Sequence, residues 1–343
     1  MSTAVTAPEP RLPHEVLPAS EAAKGAREVP AELALELYRL MVLIRDVEDA
    51  VQPLYNAGEI HGTTHLCTGE EAIGVGICTL LDPQRDRVAS TYRGHGHAIA
   101  LGSSAQGLLD ELLGKATGTG GGRAGSMNVI DLEHGLLGCF GIVGGSMAAA
   151  TGAALALKGT GAIAVAFFGD GTANQGYFHE CLNFAQVHRL PVLFVCENNL
   201  YGEFTPFEAI TAGAISARPD VMGIPNARIN GNDLWDVRDC AGRFIDEIRA
   251  GGGPRFLEAI TYRFGGHSRS DPGAYRPDGE LDAWKQYDPL VLERRHLVDE
   301  LGVDAAVVDA IDQDVAAEVE AMVERGRAAA WPTPDPDLTE FAP

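Results

Sequence analysis

Apolar side chains recur with helical spacing in several stretches of the 343-residue chain. The clearest stretch is 31–57, where leucine, valine, isoleucine and methionine return every three or four positions and therefore share one face of a helix. The same spacing predicts helices over further segments, namely 70–81, 144–158, 174–188, 235–250, 290–301 and 304–326.

Short apolar runs lie between these helices and predict strands. Residues 162–168 and 191–196 contain almost no polar side chain, which is typical of strands in a parallel sheet that is covered on both faces. Residues 88–91 and 255–263 are predicted as two more strands. Strand and helix alternate, so we expect an α/β fold: a three-layer, doubly wound parallel sheet with a helical C-terminal region.

We expect one domain over residues 29–330. The segment 1–28 is rich in Pro, Ala and Glu and is predicted to be a mobile tail, and 331–343 is predicted to be an extended C-terminal tail. The net charge of −22 argues against nucleic acid and anionic membranes as partners. The six cysteines form no CxxC pair, and neither a secretory signal nor an apolar run of membrane length is present, so we expect a cytoplasmic protein with buried, reduced thiols.

Two strand ends carry candidate chemistry. The strand 162–168 runs into Gly169-Asp170-Gly171, and about 30 residues later the strand 191–196 is followed by Asn199. Because ligands bind at the carboxyl ends of parallel strands, we expect these positions to meet. A carboxylate, an amide oxygen and a backbone carbonyl, completed by two phosphate oxygens and water, would give the octahedral oxygen shell that Mg²⁺ requires. Two ordinary turns built from Asp and Asn are the alternative.

The full string from Gly169 to Gly202, GDGTANQGYFHECLNFAQVHRLPVLFVCENNLYG, resembles the signature of thiamine diphosphate enzymes. It is similar to the alpha subunits of the 2-oxo acid dehydrogenases, which include the pyruvate, branched-chain and acetoin dehydrogenase complexes, and the resemblance spans roughly residues 33–276. It implies the thiamin-diphosphate-binding fold, thiamine diphosphate and Mg²⁺. The residues that it assigns to the cofactor here are Asp170, Gly171, Thr172, Asn199 and Tyr201, with Asp170, Asn199 and Tyr201 on the metal.

Further motifs extend the resemblance. Tyr92-Arg93 follows a predicted strand and matches a family motif that holds the diphosphate, and an arginine suits bidentate phosphate contacts. Gly141 and Val143 lie in Gly-Ile-Val-Gly, which resembles the segment under the aminopyrimidine; Val143 is the candidate for the side chain that bends the cofactor, with core packing as the alternative.

Two histidines are the predicted catalytic residues. His65 opens a segment that resembles the family's H-L-x-x-G-Q/E-E-A, where the histidine lies near the reactive thiazolium. His267 matches a loop histidine that meets the diphosphate and the active-site channel, and an imidazole can relay protons near neutral pH. Ordinary structural roles are the alternatives. The chain departs from the family pattern at Asn128, Gly265 and Ala274, where relatives often carry His, His and a regulatory Ser.

The resemblance also implies partners. The glutamate that activates the cofactor has no recognisable motif here, and the chain is too short for a second cofactor domain. A separate beta subunit is therefore expected to supply it in an assembly of two alpha and two beta chains. The expected reaction is oxidative decarboxylation of a small 2-oxo acid, pyruvate or branched-chain, with acyl transfer to a lipoyl-bearing acyltransferase.

Three alternatives remain. The string Tyr-Gly-Glu-Phe-Thr-Pro over 201–206 favours acetoin dehydrogenase mildly, because acetoin relatives often have a similar string. A non-catalytic interaction subunit that retains the fold is the alternative of another class. A nicotinamide-binding motif at Gly120, Gly122 and Gly125 is weak, because no apolar strand leads into it.

Overall fold

The computed structural model describes residues 9–18 and 29–333. The N-terminal part contains helices α1 (Pro13–Val16), α2 (Ala31–Asn56) and α3 (Glu71–Cys78). The middle of the chain contains β1 (Arg87–Thr91), α4 (His95–Ala100), α5 (Ala105–Leu112), β2 (Leu136–Phe140), α6 (Gly145–Leu157), β3 (Ala164–Gly169), a 3-10 helix (Asp170–Asn174), α7 (Gly176–His188) and β4 (Val192–Asn198). The remainder contains β5 (Tyr201–Gly202), β6 (Thr205–Pro206), α8 (Phe207–Ile210), α9 (Ala217–Asp220), β7 (Asn226–Asn230), α10 (Leu234–Arg249), β8 (Arg255–Ile260), α11 (Glu280–Lys285), α12 (Pro289–Arg295), a π-helical turn (His296–Glu300) and α13 (Ala305–Ala328).

Six strands form one sheet in which every neighbouring pair is parallel, in the order β2-β1-β3-β4-β8-β7. β5 and β6 form a separate antiparallel ribbon. From β1 the chain moves outward to β2, whereas from β3 it moves outward in the opposite direction to β4. Such a reversal leaves a crevice between the two loops at the carboxyl ends of the strands. The sheet therefore predicts a ligand site beyond the ends of β1 and β3.

Helices cover both faces of the sheet, and the side chains of β3 show how. Val165 and Phe167 pack into an apolar cluster with α2, α3, α5, α10 and α13, whereas Ala166 and Phe168 pack on the opposite face with α6 and α7. Phe167 and Phe168 are both fully buried, and burial of one such side chain contributes about 1.5–3 kcal/mol. The predicted three-layer α/β architecture is confirmed.

The structure corrects several predicted bounds. The helix predicted over 174–188 begins at Gly176, because the 3-10 helix precedes it. The helix predicted over 290–301 is divided into α12 and the π-helical turn. Strands β2 and β7 were not predicted from the pattern. Both lie at edges of the sheet. β7 carries polar Asn226, Arg228 and Asn230 and therefore lacks the apolar run that marks a central strand, whereas β2 is an apolar run of only five residues that Gly138 interrupts.

Residues 9–18 belong to the segment 1–28 that is predicted to be a mobile tail, and in the structure they pack against the folded domain. Val16 and Leu17 pack against a third apolar cluster that contains Tyr201, Tyr262 and Trp284, and this contact fixes the segment. Residues 1–8 and 19–28 lie outside the described residues, as does 334–343 of the predicted C-terminal tail. The limits 29–330 of the domain stay a prediction.

Two global expectations can be compared with the structure. All six cysteines are buried and unpaired by disulfides. Within residues 9–18 and 29–333, no helix is both long enough and apolar enough to cross a bilayer.

One buried carboxylate organises the glycine-rich run that follows α5. Glu111 accepts hydrogen bonds of 2.6–3.0 Å from the backbone amides of Gly120, Gly122, Ala124 and Gly125. No strand or helix is formed over 118–125, so these bonds replace those of regular structure. The run has a defined shape, and the segment after it reaches the wall of the site.

Candidate functional site

The carboxyl ends of β1 and β3 border a cavity of about 410 Å³ at the point where the strand order reverses. The eleven site residues predicted from the sequence all lie in its wall: His65, Tyr92, Arg93, Gly141, Val143, Asp170, Gly171, Thr172, Asn199, Tyr201 and His267. The fold thus brings together positions that are far apart in the sequence. Their individual roles remain predictions.

Asp170 begins the turn after β3 and is only 2 % exposed. Its Oδ2 atom is buried and receives no hydrogen bond from the described residues. Burial raises the pKa of this carboxyl to about 6, while nearby backbone amides and Arg263 oppose the rise. A buried carboxylate oxygen is costly unless it meets a cation or a donor, so Asp170 is chemically suited to hold a cation.

The two asparagines after β4 have different environments. Asn198 donates from Nδ2 to Glu258 (2.8 Å) and is part of the packed interior. Asn199 lines the cavity and donates from Nδ2 to Glu70 Oε1 (2.7 Å). Because Glu70 binds the amide nitrogen, the Asn199 oxygen is the atom that can accept, and it receives a hydrogen bond of 3.4 Å from the amide of Tyr201.

The turn between Asn199 and Tyr201 is tight. Leu200 has a left-handed backbone with φ of 70°, which is unusual for a residue with a Cβ. The Tyr201 phenol donates to Glu280 Oε1 (2.7 Å) and its ring packs under the guanidinium of Arg11 at 4.0 Å. The Tyr201 side chain is therefore engaged elsewhere, and a metal contact by this residue would use its backbone carbonyl.

Arg93 joins the segments that carry the two predicted catalytic histidines. It is 6 % exposed and donates to the carbonyls of Leu66 and of His267, the latter at 3.1 Å. Its Nε lies 3.9 Å from Glu70 Oε2. The Glu70 carboxylate stabilises the buried charge of Arg93. A guanidinium held in this way can donate hydrogen bonds to an anion in the cavity.

His65 and His267 lie against each other, with ring centroids 4.8 Å apart, and the Tyr92 ring is 4.4 Å from His65. The Nδ1 atoms of both histidines are buried and have no hydrogen-bond partner among the described residues. Burial, reinforced by Arg93, lowers the pKa of His65 to about 3 and that of His267 to about 4. Both imidazoles are therefore neutral near pH 7 and each can accept a proton or hydrogen bond.

Apolar side chains surround the mouth of the cavity between β2 and α6. Ile142 is 70 % exposed and Val143 is 42 % exposed, and both line the cavity. The next residue, Gly144, has φ of 86°, and a Cβ there would lie 3.3 Å from atoms of Tyr177. A turn that presents large apolar side chains to solvent at a cavity mouth is typical of a surface that another molecule covers.

The sequence analysis missed a buried polar relay in the wall. Glu197, within β4, lines the cavity and lies 3.0 Å from His97 Nε2, while His97 Nδ1 lies 2.8 Å from Ser90 Oγ. The His97 ring stacks on Phe167 at 3.9 Å. Glu197 directly precedes the two asparagines, so a carboxylate at the end of an otherwise apolar strand was the available signal.

A second arginine was also missed. Arg263 follows β8, is 2 % exposed and lines the cavity. It donates to the Tyr275 hydroxyl (2.7 Å) and to the carbonyl of Glu203 (3.3 Å). The cavity therefore contains two guanidinium groups within a strongly acidic protein, as expected where an anion binds. Its position beside Tyr262 at a strand end was the signal for it.

Metal binding here depends on oxygen atoms of mixed origin. In the described parts of the chain, no group of three or more His, Cys, Asp or Glu side chains is placed to hold a metal ion. A cation beside Asp170 would have one carboxylate, the Asn199 amide oxygen and a main-chain carbonyl, and would need anionic oxygens from a ligand. Mg²⁺ is commonly bound by one or two carboxylates plus substrate phosphates, so these residues fit a cation that arrives with a diphosphate.

Comparison with known proteins identifies relatives along most of the chain. The family model described as "Dehydrogenase E1 component" matches residues 39–335. The alpha subunit of acetoin:2,6-dichlorophenolindophenol oxidoreductase from Bacillus subtilis is 41 % identical over 90 % of this chain and 93 % of its own length. The corresponding subunit of Cupriavidus necator is 42 % identical over 92 % and 96 %. The pyruvate dehydrogenase E1 component subunit alpha of Zymomonas mobilis is 39 % identical over 90 % and 88 %.

Proposed function

The chain belongs to the dehydrogenase E1 component family, and from this premise we propose that it is the alpha subunit of a thiamine-diphosphate-dependent dehydrogenase of 2-oxo acids. Its cavity would hold the diphosphate and a Mg²⁺ ion. The observation that carries the proposal is that Asp170, whose Oδ2 is buried without a hydrogen-bond partner among the described residues, and Asn199 both line the cavity at the ends of adjacent strands.

Each predicted residue has a defined task in this proposal. Asp170, Asn199 and the carbonyl of Tyr201 would hold the metal, and Tyr92 and Arg93 would hold the diphosphate. Gly171 and Thr172, in the turn after Asp170, would approach the phosphate oxygens through their backbone. Gly141 and Val143 would support the aminopyrimidine at the cavity mouth.

Thiamine diphosphate, when bound, supplies a carbon nucleophile and an electron sink for cleaving a carbon–carbon bond beside a carbonyl. His65 and His267 would face the reacting atoms, where their neutral imidazoles can accept protons or orient the substrate carboxylate. Arg93 would fix the positions of the two histidine segments relative to each other, because it donates hydrogen bonds to the backbone carbonyls of both.

A separate beta subunit would complete the site. The activating glutamate is proposed to come from that chain, in an assembly of two alpha and two beta subunits, and the product would pass to a lipoyl-bearing acyltransferase. Exposed Ile142 and Val143 and the exposed side of α6 support this proposal, because apolar surface around a cavity mouth is stabilised by a partner. The relatives named alpha subunits support it as well.

Acetoin is the second candidate substrate. The two acetoin relatives are 41 % and 42 % identical to the chain, whereas the pyruvate relative from Zymomonas mobilis is 39 % identical. The string over 201–206 also favours it. Cleavage of the carbon–carbon bond between the carbonyl and hydroxyl carbons of acetoin would use the same diphosphate and metal site.

Steady-state assays test the proposal. The chain is co-purified with its beta subunit, and reduction of an artificial dye is followed with pyruvate, branched-chain 2-oxo acids or acetoin, with and without thiamine diphosphate and Mg²⁺. We expect cofactor-dependent turnover of one substrate class. Turnover by the alpha chain alone at the rate of the complex would contradict the divided site, and an assembly that binds no thiamine diphosphate would favour the non-catalytic interaction subunit.

A further inference from the structure

The N-terminal segment of residues 9–18, here called the strap, contacts the turn that carries two of the proposed metal ligands. Arg11 Nη1 donates a hydrogen bond of 2.6 Å to the carbonyl of Leu200. Leu200 lies between Asn199 and Tyr201 and has the left-handed φ of 70°. The guanidinium of Arg11 also stacks on the Tyr201 ring at 4.0 Å. Arg11, which is 189 positions from Leu200 in the sequence, thus contacts this turn from outside the cavity.

A single buried carboxylate connects the strap to the turn. Glu280, at the start of α11, is fully buried. It accepts hydrogen bonds from the Arg11 backbone amide (2.8 Å), the Tyr201 hydroxyl (2.7 Å) and the Tyr262 hydroxyl (2.9 Å). The Arg11 guanidinium lies 3.2 Å from the same carboxylate. Arg11 therefore supplies the cation that compensates Glu280, and Glu280 in turn fixes Tyr201.

The strap is itself held in place independently of the cavity. Trp284 Nε1 donates to the Arg11 carbonyl (2.8 Å), and Arg228 Nη2 donates to the Val16 carbonyl (3.0 Å). Val16 and Leu17 pack on the third apolar cluster, which includes Tyr201 and Tyr262. Hydrogen bonds thus hold the strap near both ends of α1. Leu200 and Tyr201 of the metal-ligand turn belong to the same apolar cluster.

We propose that Arg11 is a positioning residue: through the Leu200 carbonyl and Glu280 it sets the shape of the 199–201 turn before Mg²⁺ and the diphosphate bind. A left-handed backbone is strained for a residue with a Cβ and persists only where its surroundings determine it. Here the surroundings are the Arg11 hydrogen bond and the packed Tyr201 ring. If the turn already has its binding conformation, it loses less conformational entropy when the ligand binds. This inference rests on the proposed function.

The first experiment compares Arg11→Ala with the unsubstituted chain in the full complex. Calorimetric titration with Mg²⁺ and thiamine diphosphate should show an affinity about tenfold weaker for Arg11→Ala, as expected for losing one charged hydrogen bond, while kcat at saturating cofactor changes less than twofold. Arg11→Lys keeps the charge and one donor and should recover part of the affinity. Arg243→Ala removes an exposed arginine that contacts Cys240, Phe244 and Glu247 of its own helix, and it should leave the affinity unchanged.

The second experiment needs no cofactor. Hydrogen–deuterium exchange of the peptide that covers 199–206 should be faster in Arg11→Ala than in the unsubstituted complex. If Arg11→Ala does not assemble, Trp284→Phe removes the donor to the Arg11 carbonyl together with part of the buried indole, and it keeps an aromatic ring against Tyr262, on which Trp284 stacks at 5.1 Å. It should show the same direction of change with a smaller size.

The results separate the strap from the proposed function. Unchanged affinity together with unchanged exchange in Arg11→Ala overturns the role of the strap, even if the complex binds cofactor normally. Absence of cofactor binding by the unsubstituted complex overturns the proposed function, and the exchange measurement then still decides whether the strap orders the turn.

Discussion

At the scale of single residues, Asp170 shows how a binding site can cost stability. Its Oδ2 is buried and receives no hydrogen bond from the described residues, and burial raises the pKa of the carboxyl. We expect Asp170→Asn to stabilise the cofactor-free complex by about 1–3 kcal/mol, because a neutral amide is less costly to bury than a carboxylate without a partner. Chemical denaturation in the absence of Mg²⁺ measures this. Asp309→Asn, at an exposed ion pair with Arg294, serves as the control and should change stability little; a destabilised Asp170→Asn would contradict the account.

His65 and His267 give the pH dependence. Their pKa values in the folded protein, about 3 and about 4, lie below the ordinary histidine value of about 6.5. The unfolded chain therefore binds more protons between pH 6.5 and 4, so stability falls as the pH is lowered through this interval and is fully present above it.

The double variant His65→Asn, His267→Asn should lose less stability over the same interval. Thermal unfolding midpoints of the cofactor-free complex at pH 7.5 and pH 5 measure the difference. Equal losses in both proteins would show that other groups cause the pH dependence.

Residue spacing and the resemblance to the family together predicted much of the cavity wall, but not every group in it. Asn198 and Asn199 are the same residue type, and the sequence does not show their surroundings. Only the structure shows that Asn198 is bound to Glu258 and that Asn199 lies in the cavity wall. Glu197 lies within the quoted 169–202 string and Arg263 at the end of the predicted strand 255–263, but neither was predicted as a site residue, because burial of a charged side chain cannot be deduced from a strand end alone.

At the scale of elements, Glu111 determines the shape of the glycine-rich run. It is 1 % exposed and accepts from four backbone amides of 118–125. We expect Glu111→Ala to destabilise the protein by about 2–4 kcal/mol, since four partly buried donors lose their acceptor. Glu111→Gln keeps one acceptor oxygen and should cost less. Denaturant titration measures both, with exposed Glu133→Ala as the control; a Glu111→Ala protein as stable as the control would show that the run does not depend on this carboxylate.

Helix α6 offers a test of the partner surface. Gly152 is exposed in the middle of the helix, and a Cβ there would meet nothing within 4 Å. Gly152→Ala should therefore stabilise the isolated chain by about 0.5–1 kcal/mol through helix propensity.

Gly152→Arg should also fold, but it should fail to assemble with the beta subunit if this face is covered. Analytical ultracentrifugation of the mixed subunits distinguishes the two variants. Assembly of Gly152→Arg with unchanged affinity would remove α6 from the interface.

Central elements were predictable and edge elements were not. β3 is apolar throughout, and β4 is apolar up to Glu197, because both faces and both neighbours are covered. β7 has an open side, and its polar residues conceal it. The strap was missed for a similar reason: α1 has only four residues, and its position depends on Glu280, Tyr201 and Trp284, whose proximity is a property of the folded chain.

At the scale of the whole molecule, the proposed function places a diphosphate in a cavity of a chain whose net charge is −22. Arg93 and Arg263, both almost fully buried, supply local positive charge at the switch point of the sheet. Asp170 and Asn199, in contrast, present oxygen atoms that suit a cation. A diphosphate that binds together with Mg²⁺ would satisfy both the arginines and the oxygen ligands, whereas the diphosphate alone or Mg²⁺ alone would satisfy only one of these groups. The exposed apolar mouth at Ile142 and Val143 is where such a site would be closed by another chain.

The most direct measurement is calorimetric titration of Mg²⁺ and thiamine diphosphate into the complex of this chain with its beta subunit. The account predicts one saturable site per alpha chain that requires Mg²⁺, and at least a hundredfold weaker binding in Asp170→Asn, about 3 kcal/mol or more for losing a charged metal ligand. Binding of equal affinity in Asp170→Asn, or binding that is indifferent to Mg²⁺, would contradict it.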